Sequence, residues 1–224
     1  MKTRSKALLL TLCAVLLVAA SVLGTMAYLT DKETVTNTFT VGKVSIKLDE
    51  AKVNLNGEPT DKDGNKVSDL KDAPRVDKND YKLLPGHTYT KDPTVTVEKG
   101  SEKSYIKMTV TFSKASALDT IFAPDGAKLT DIFKDYDNNT WLYKKVTDDT
   151  TNNTRTYEFW YKEAVTAPDA DVALAPLFKS IVVPSFITGD QLKTINEMTI
   201  TVNAYAIQAD GFANADAAWE AFAG

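Results

Sequence analysis

One cysteine and one histidine are all that this chain has of either residue. The cysteine, Cys13, lies in an apolar stretch near the N-terminus, so the rest of the chain has no thiol chemistry and no internal disulfide. The histidine, His87, sits in Pro85-Gly86-His87-Thr88, a turn leading into a strand. With one histidine, an HExxH zinc site and any two-histidine metal site are excluded. A Ser–His–Asp triad would have to be built on His87, and no GxSxG elbow accompanies it. Phosphate-binding loops of the GxxxxGK[ST] and GxGxxG types are missing, and so is any Lys/Arg cluster beyond residue 6. The net charge is −4 over 224 residues, and it becomes −7 without Lys2, Arg4 and Lys6. An acidic domain of this kind is a poor partner for nucleic acid. Strand and helix signals do not alternate as βαβ units would require, so a parallel sheet is not expected.

What the chain does have begins with a leader. Three positive charges in residues 1–6 precede an uncharged run, ALLLTLCAVLLVAASVLG, over residues 7–24. Thr25-Met26-Ala27 then places small residues at −3 and −1 of a cut after Ala27. This is the layout of a secretory signal, and it predicts removal of residues 1–27, a mature start at Tyr28, and contact with the membrane only during export. Two alternatives fit the residues less well. An uncleaved helix over residues 7–24 would span ~27 Å, but Thr30-Asp31-Lys32-Glu33 offers no positive stop after it. Lipidation at Cys13 lacks a small residue just before the cysteine.

The remainder, residues 28–224, reads as β-rich. Alternation runs from Val35 through Phe39 and Val41, then resumes at Val44, Ile46 and Leu48 after a break at Gly42. Residues 49–81 form a polar insertion, expected as a hairpin at Asn56-Gly57 followed by a long exposed loop. Residues 94–98 and 105–112 alternate across Lys99-Gly100-Ser101-Glu102 and are expected as a hairpin. Leu118/Ile121/Phe122 and Leu129/Ile132/Phe133 each have i, i+3, i+4 spacing, which predicts two short helices. Residues 141–147 and 154–162 predict an aromatic hairpin. Residues 177–183 are a short apolar run, 197–208 a long strand and 213–222 a C-terminal helix. Eight or nine short strands with few helices predict an all-β antiparallel sandwich.

Candidate chemistry is sparse. Asp61-Lys62-Asp63-Gly64-Asn65 fails the calcium-loop pattern, because Lys66 stands where glycine is needed and Asp72 where a bidentate glutamate is needed. It is expected as a solvated turn. Asp135-Tyr136-Asp137-Asn138 and Asp148-Asp149 are expected as loops, with weak calcium binding as the alternative. The aromatic hairpin, with Trp141 and Trp160, reads as core and cross-strand pairing, with a glycan-binding face as the alternative. No catalytic, cofactor or metal residue is assigned, and the chain is not expected to be an enzyme.

Several stretches resemble one family. Gly24-Thr25-Met26-Ala27-Tyr28, Leu29-Thr30-Asp31 and Asn37-Thr38-Phe39-Thr40-Val41-Gly42 are similar to leaders handled by the SipW type of signal peptidase. Leu84-Pro85-Gly86, Lys91-Asp92-Pro93 and Ala204-Tyr205-Ala206-Ile207-Gln208-Ala209-Asp210-Gly211-Phe212 look like further landmarks of the TasA/camelysin family of exported proteins. The resemblance implies a jelly-roll sandwich, secretion to the extracellular matrix or cell surface, and assembly into homo-oligomeric biofilm-matrix fibres. It implies a donor strand at residues 28–41, including Tyr28, Leu29, Val35, Phe39 and Val41, that pairs with the next subunit's sheet. Two alternatives stay open: a secreted or surface binding module for glycan, and a camelysin-type metalloendopeptidase, against which the single histidine stands.

Overall fold

The computed structural model describes Lys6 and residues 11–17, 42–122 and 132–222. The chain divides into two units, Met1–Val41 and Gly42–Gly224. In the first, residues 11–17 are helical and exposed. Among the described residues, no helix is long and apolar enough to cross a membrane. The cleavage pair Ala27 and Tyr28, and the donor-strand residues Tyr28, Leu29, Val35, Phe39 and Val41, lie outside the described residues.

The second unit is an all-β antiparallel sandwich with a few short helices. Its strands are β1 (Ile46–Ala51), β2 (Arg75–Val76), β3 (Thr88–Thr90), β4 (Thr94–Val97), β5 (Ser101–Ser113), β6 (Phe133–Lys134), β7 (Trp141–Asp149), β8 (Thr154–Tyr161), β9 (Val165–Ala167), β10 (Val172–Ala173), β11 (Ser180–Val182) and β12 (Ile200–Gln208). Among the described residues, α1 (Ala115–Phe122), α2 (Gly189–Thr194), α3 (Ala215–Phe222) and a single 3-10 turn at Leu70–Asp72 accompany the strands. One sheet has the order β10-β4-β1-β2, a second β3-β11-β6, and the largest β12-β5-β8-β7 with β9 also on β5.

Period-two alternation builds the core. Along β5, Ile106, Met108, Val110 and Phe112 are fully buried, while Tyr105, Thr109 and Thr111 on the other face are half-exposed and Lys107 there is covered. Val95 and Val97 of β4, Ile181 of β11 and Phe159 of β8 meet them in one cluster. Phe133 is its hub, with ring centres of Phe112, Tyr157, Phe159 and Phe178 between 4.8 and 5.8 Å away. Burying a side chain of this size contributes about 1.5–3 kcal/mol.

Four expectations need correction. Asp148 and Asp149 are not in a loop: they end β7, paired with Arg155 and Thr154 of β8. Of the second expected helix, Leu129 lies outside the described residues and Ile132 is helical, but Phe133 is not: it lies in β6, paired with Ile181 of β11. Its spacing from Leu129 matches a helix, but a two-residue strand is too short to express its own period. Residues 94–98 and 105–112 do not form a hairpin. β4 pairs with β1 and β10, whereas β5 pairs with β12, β8 and β9, so the turn at Gly100 carries the chain from one sheet to another. The 49–81 insertion is also more than an exposed loop. It carries isolated bridges Val53↔Pro59 and Thr60↔Lys66, pairs β2 with β1, and buries Val53, Gly57, Thr60 and Ala73.

Candidate strand-acceptor groove

The five-stranded sheet ends in two unlike edges. β7 is blunted: its register slips at a bulge between Tyr143 and Lys145, and Lys144, Lys145, Asp148 and Asp149 place charge along it. These are the devices that stop an edge from pairing with another chain. β12 has none of them. Its nine residues, ITVNAYAIQ, hold no charge, proline or glycine, and each pairs with β5 in unbroken register from Ile200↔Phe112 to Gln208↔Ser104.

Among the described residues, no strand pairs with the outer side of β12. Ser113 N–H donates to the Thr199 carbonyl at 3.0 Å, and Ala209 N–H donates to the Lys103 carbonyl at 2.8 Å. Residues of an antiparallel strand alternate in direction, so odd-numbered residues here point their amide groups at β5. The amide groups of Ile200, Val202, Ala204 and Ala206 therefore point away from the sheet, where no described strand pairs with them.

The core is open beside this edge. Ile200, Val202, Ala204 and Ala206 face inward yet are only half-buried, as are Ile46 and Leu48 of β1. Their neighbours on β5 and β4 are fully buried. β1 is paired with β4 over Ile46–Asp49, and β2 reaches only Glu50 and Ala51, so the rest of its outer side also lacks a strand among the described residues. A cleft of about 420 Å³ separates β1 and β12, lined by Leu48, Val76, Pro93, Ile200 and Val202. A second, of about 810 Å³, takes in Tyr81, Leu83, Leu192, Ile195 and Met198. Lys91, Thr199 and Ile200 line both, making one extended groove.

A partly buried polar network adjoins the groove through Asp49, which lines the smaller cleft. Arg75 Nε donates to Asp49 Oδ1 at 2.8 Å, its Nη1 reaches Asp92 Oδ2, and its Nη2 donates to the Asp49 and Asp92 carbonyls at 3.0 and 3.1 Å. Asp92 Oδ1 accepts from Ala51 N–H at 2.7 Å. Burial alone would raise the Asp49 carboxyl, but hydrogen bonds from Lys47 and Arg75 outweigh it and hold the group below its ordinary value. Burial, then the charges of Glu50 and Asp92, push the Tyr81 hydroxyl far up. The insertion is thus docked by charges that are paired and hydrogen-bonded, the condition on which buried charge is tolerated.

Other residues singled out from sequence fall elsewhere. Trp141 is fully buried, with Nε1 donating to the Ala175 carbonyl at 3.0 Å. Lys144 Nζ lies 3.9 Å from the Trp160 ring centre, and Trp219 of α3 is 6.1 Å away. These rings serve packing between the hairpin and the rest of the unit. His87 is half-exposed against Tyr89, 5.5 Å between ring centres. Asp61 Oδ1 accepts the Asp63 and Asn65 amides at 2.9 and 2.8 Å, which uses it to hold its own turn. Among the described residues, no three His, Cys, Asp or Glu side chains are grouped to hold a metal. The open β12 edge and the network around Lys91-Asp92 went unread in the sequence, although the absence of charge in residues 198–208 was a usable signal.

No family model, curated protein or solved structure matches this chain.

Proposed function

We propose that this protein is a secreted structural subunit that polymerises by strand addition. Residues 28–41 of one copy, released by a SipW-type peptidase cutting after Ala27, pair with the open edge of β12 in the next copy. The observation that carries this reading is the contrast between the two edges of one sheet: β7 is charged and bulged, and β12 is long, regular and uncharged. Residues 28–41 outnumber the nine of β12, and Val35, Phe39 and Val41 share a parity suited to filling the half-buried seam. Each new main-chain hydrogen bond contributes about 0.5–1.5 kcal/mol net, and closing the apolar seam adds to it. The resemblance to the TasA/camelysin family points the same way, towards fibres of a biofilm matrix.

Negative-stain microscopy of the mature protein tests the reading. Chains beginning at Tyr28 are expected to form filaments, and chains beginning at Gly42 are expected to stay monomeric. Equal behaviour of the two overturns it.

A further inference from the structure

Glu50 at the end of β1, Asn79 after β2 and Lys91 between β3 and β4 converge on one point. Glu50 and Lys91 are 6% and 8% exposed. Lys91 Nζ donates to Glu50 Oε2 at 2.6 Å, and Asn79 Nδ2 donates to the other oxygen, Oε1, at 2.9 Å. One buried carboxylate therefore touches a primary amine and a primary amide together. The amide is held on its other sides as well. Val53 N–H donates to Asn79 Oδ1 at 2.9 Å, and Nδ2 also donates to the Ala51 carbonyl at 2.9 Å. The Tyr81 ring centre lies 5.9 Å from Lys91 Nζ and closes that side.

An ion pair alone requires only Glu50 and Lys91. The third member is an amide whose carbonyl oxygen is polarised by a backbone donor and whose nitrogen rests on the same carboxylate. We propose that this triad closes an intramolecular isopeptide bond between Lys91 Nζ and Asn79 Cγ, with Glu50 as the proton carrier.

The two reacting groups meet on the one carboxylate, Lys91 Nζ at 2.6 Å and Asn79 Nδ2 at 2.9 Å. Lys91 Nζ gives a proton to Glu50 Oε2, and its freed lone pair attacks Asn79 Cγ. The Cγ–Nζ bond forms as the carbonyl π pair moves to Oδ1, where the Val53 N–H stabilises the developing charge. Glu50 delivers a proton to Nδ2 and takes one from Nζ. The pair on Oδ1 returns, the Cγ–Nδ2 bond breaks, and ammonia leaves. Glu50 ends protonated beside a neutral amide, so no unpaired charge is left buried. No oxidant or reductant is involved. Fixed neighbours make the attack intramolecular, which removes most of its entropic barrier. The bond would cross-link a cysteine-free exported domain at the wall of the groove, where Asn79 and Lys91 both line the smaller cleft.

Mass spectrometry of the whole purified protein, denatured before measurement, tests this independently of filament formation. The expected mass is one ammonia below that of the processed sequence, and a tryptic digest should yield the Asn79 peptide joined to the Lys91 peptide. Lys91→Arg and Glu50→Gln should restore the full mass, and Asn79→Asp should lose water in place of ammonia. A wild-type chain at full mass overturns the proposal. So does an ammonia loss that persists in Lys91→Arg, which would assign it to asparagine cyclisation.

Discussion

Gly57 has no room for a side chain. Its φ is +74°, and a Cβ there would stand 2.6 Å from Tyr89 Cα. Gly57→Ala is therefore expected to cost about 1–3 kcal/mol, read as a lower urea midpoint. Phe133 is the residue on which the aromatic core converges, so Phe133→Ala should cost about 3–5 kcal/mol by the same measurement. Asp49 sets a pH dependence. Its carboxyl is held below the ordinary 3.8 in the folded chain, so its contribution is complete above that value and is lost as pH falls through the lower, folded one. Urea titrations at neutral pH and below 3.8 should show a smaller acid loss for Asp49→Asn than for the wild type. At neutral pH the variant should be the less stable of the two, because Arg75 keeps only one of its two carboxylate partners.

Among the elements, β12 makes the sharpest prediction. The Ala204 amide points outward, so Ala204→Pro removes a donor from the open edge while sparing those that face β5. Folding, read by circular dichroism, should survive and filaments should not. Filaments of normal length would contradict the assignment of that edge. The β7–β8 hairpin, β12 and α3 were legible in the sequence because each is long enough to express its own period. The step from β4 to β5 was not. Gly100 makes a tight turn whether the chain returns to the same sheet or crosses to another, and that choice is made by β1, β8 and β12 far along the chain. α2 could have been found: Thr188 and Gln191 form a capping box, with the Thr188 hydroxyl accepting from the Gln191 amide and the Gln191 side chain accepting from the Thr188 amide. The Glu50–Asn79–Lys91 cluster was hidden because its members come from three separate segments and each alone reads as an exposed polar side chain.

For the molecule as a whole, a sandwich in which no described strand lies along one seam has two ways to close it: fold back its own chain or accept a strand from a neighbour. The half-buried faces of Ile46, Leu48, Ile200 and Val202 make either favourable, and the strand-addition reading assigns the seam to a neighbour's residues 28–41. Hydrogen exchange on chains beginning at Gly42, with and without a synthetic peptide of residues 28–41, tests this most directly. The peptide is expected to slow exchange at the amides of Ile200, Val202, Ala204 and Ala206. Unchanged exchange at those four amides under saturating peptide would contradict the account.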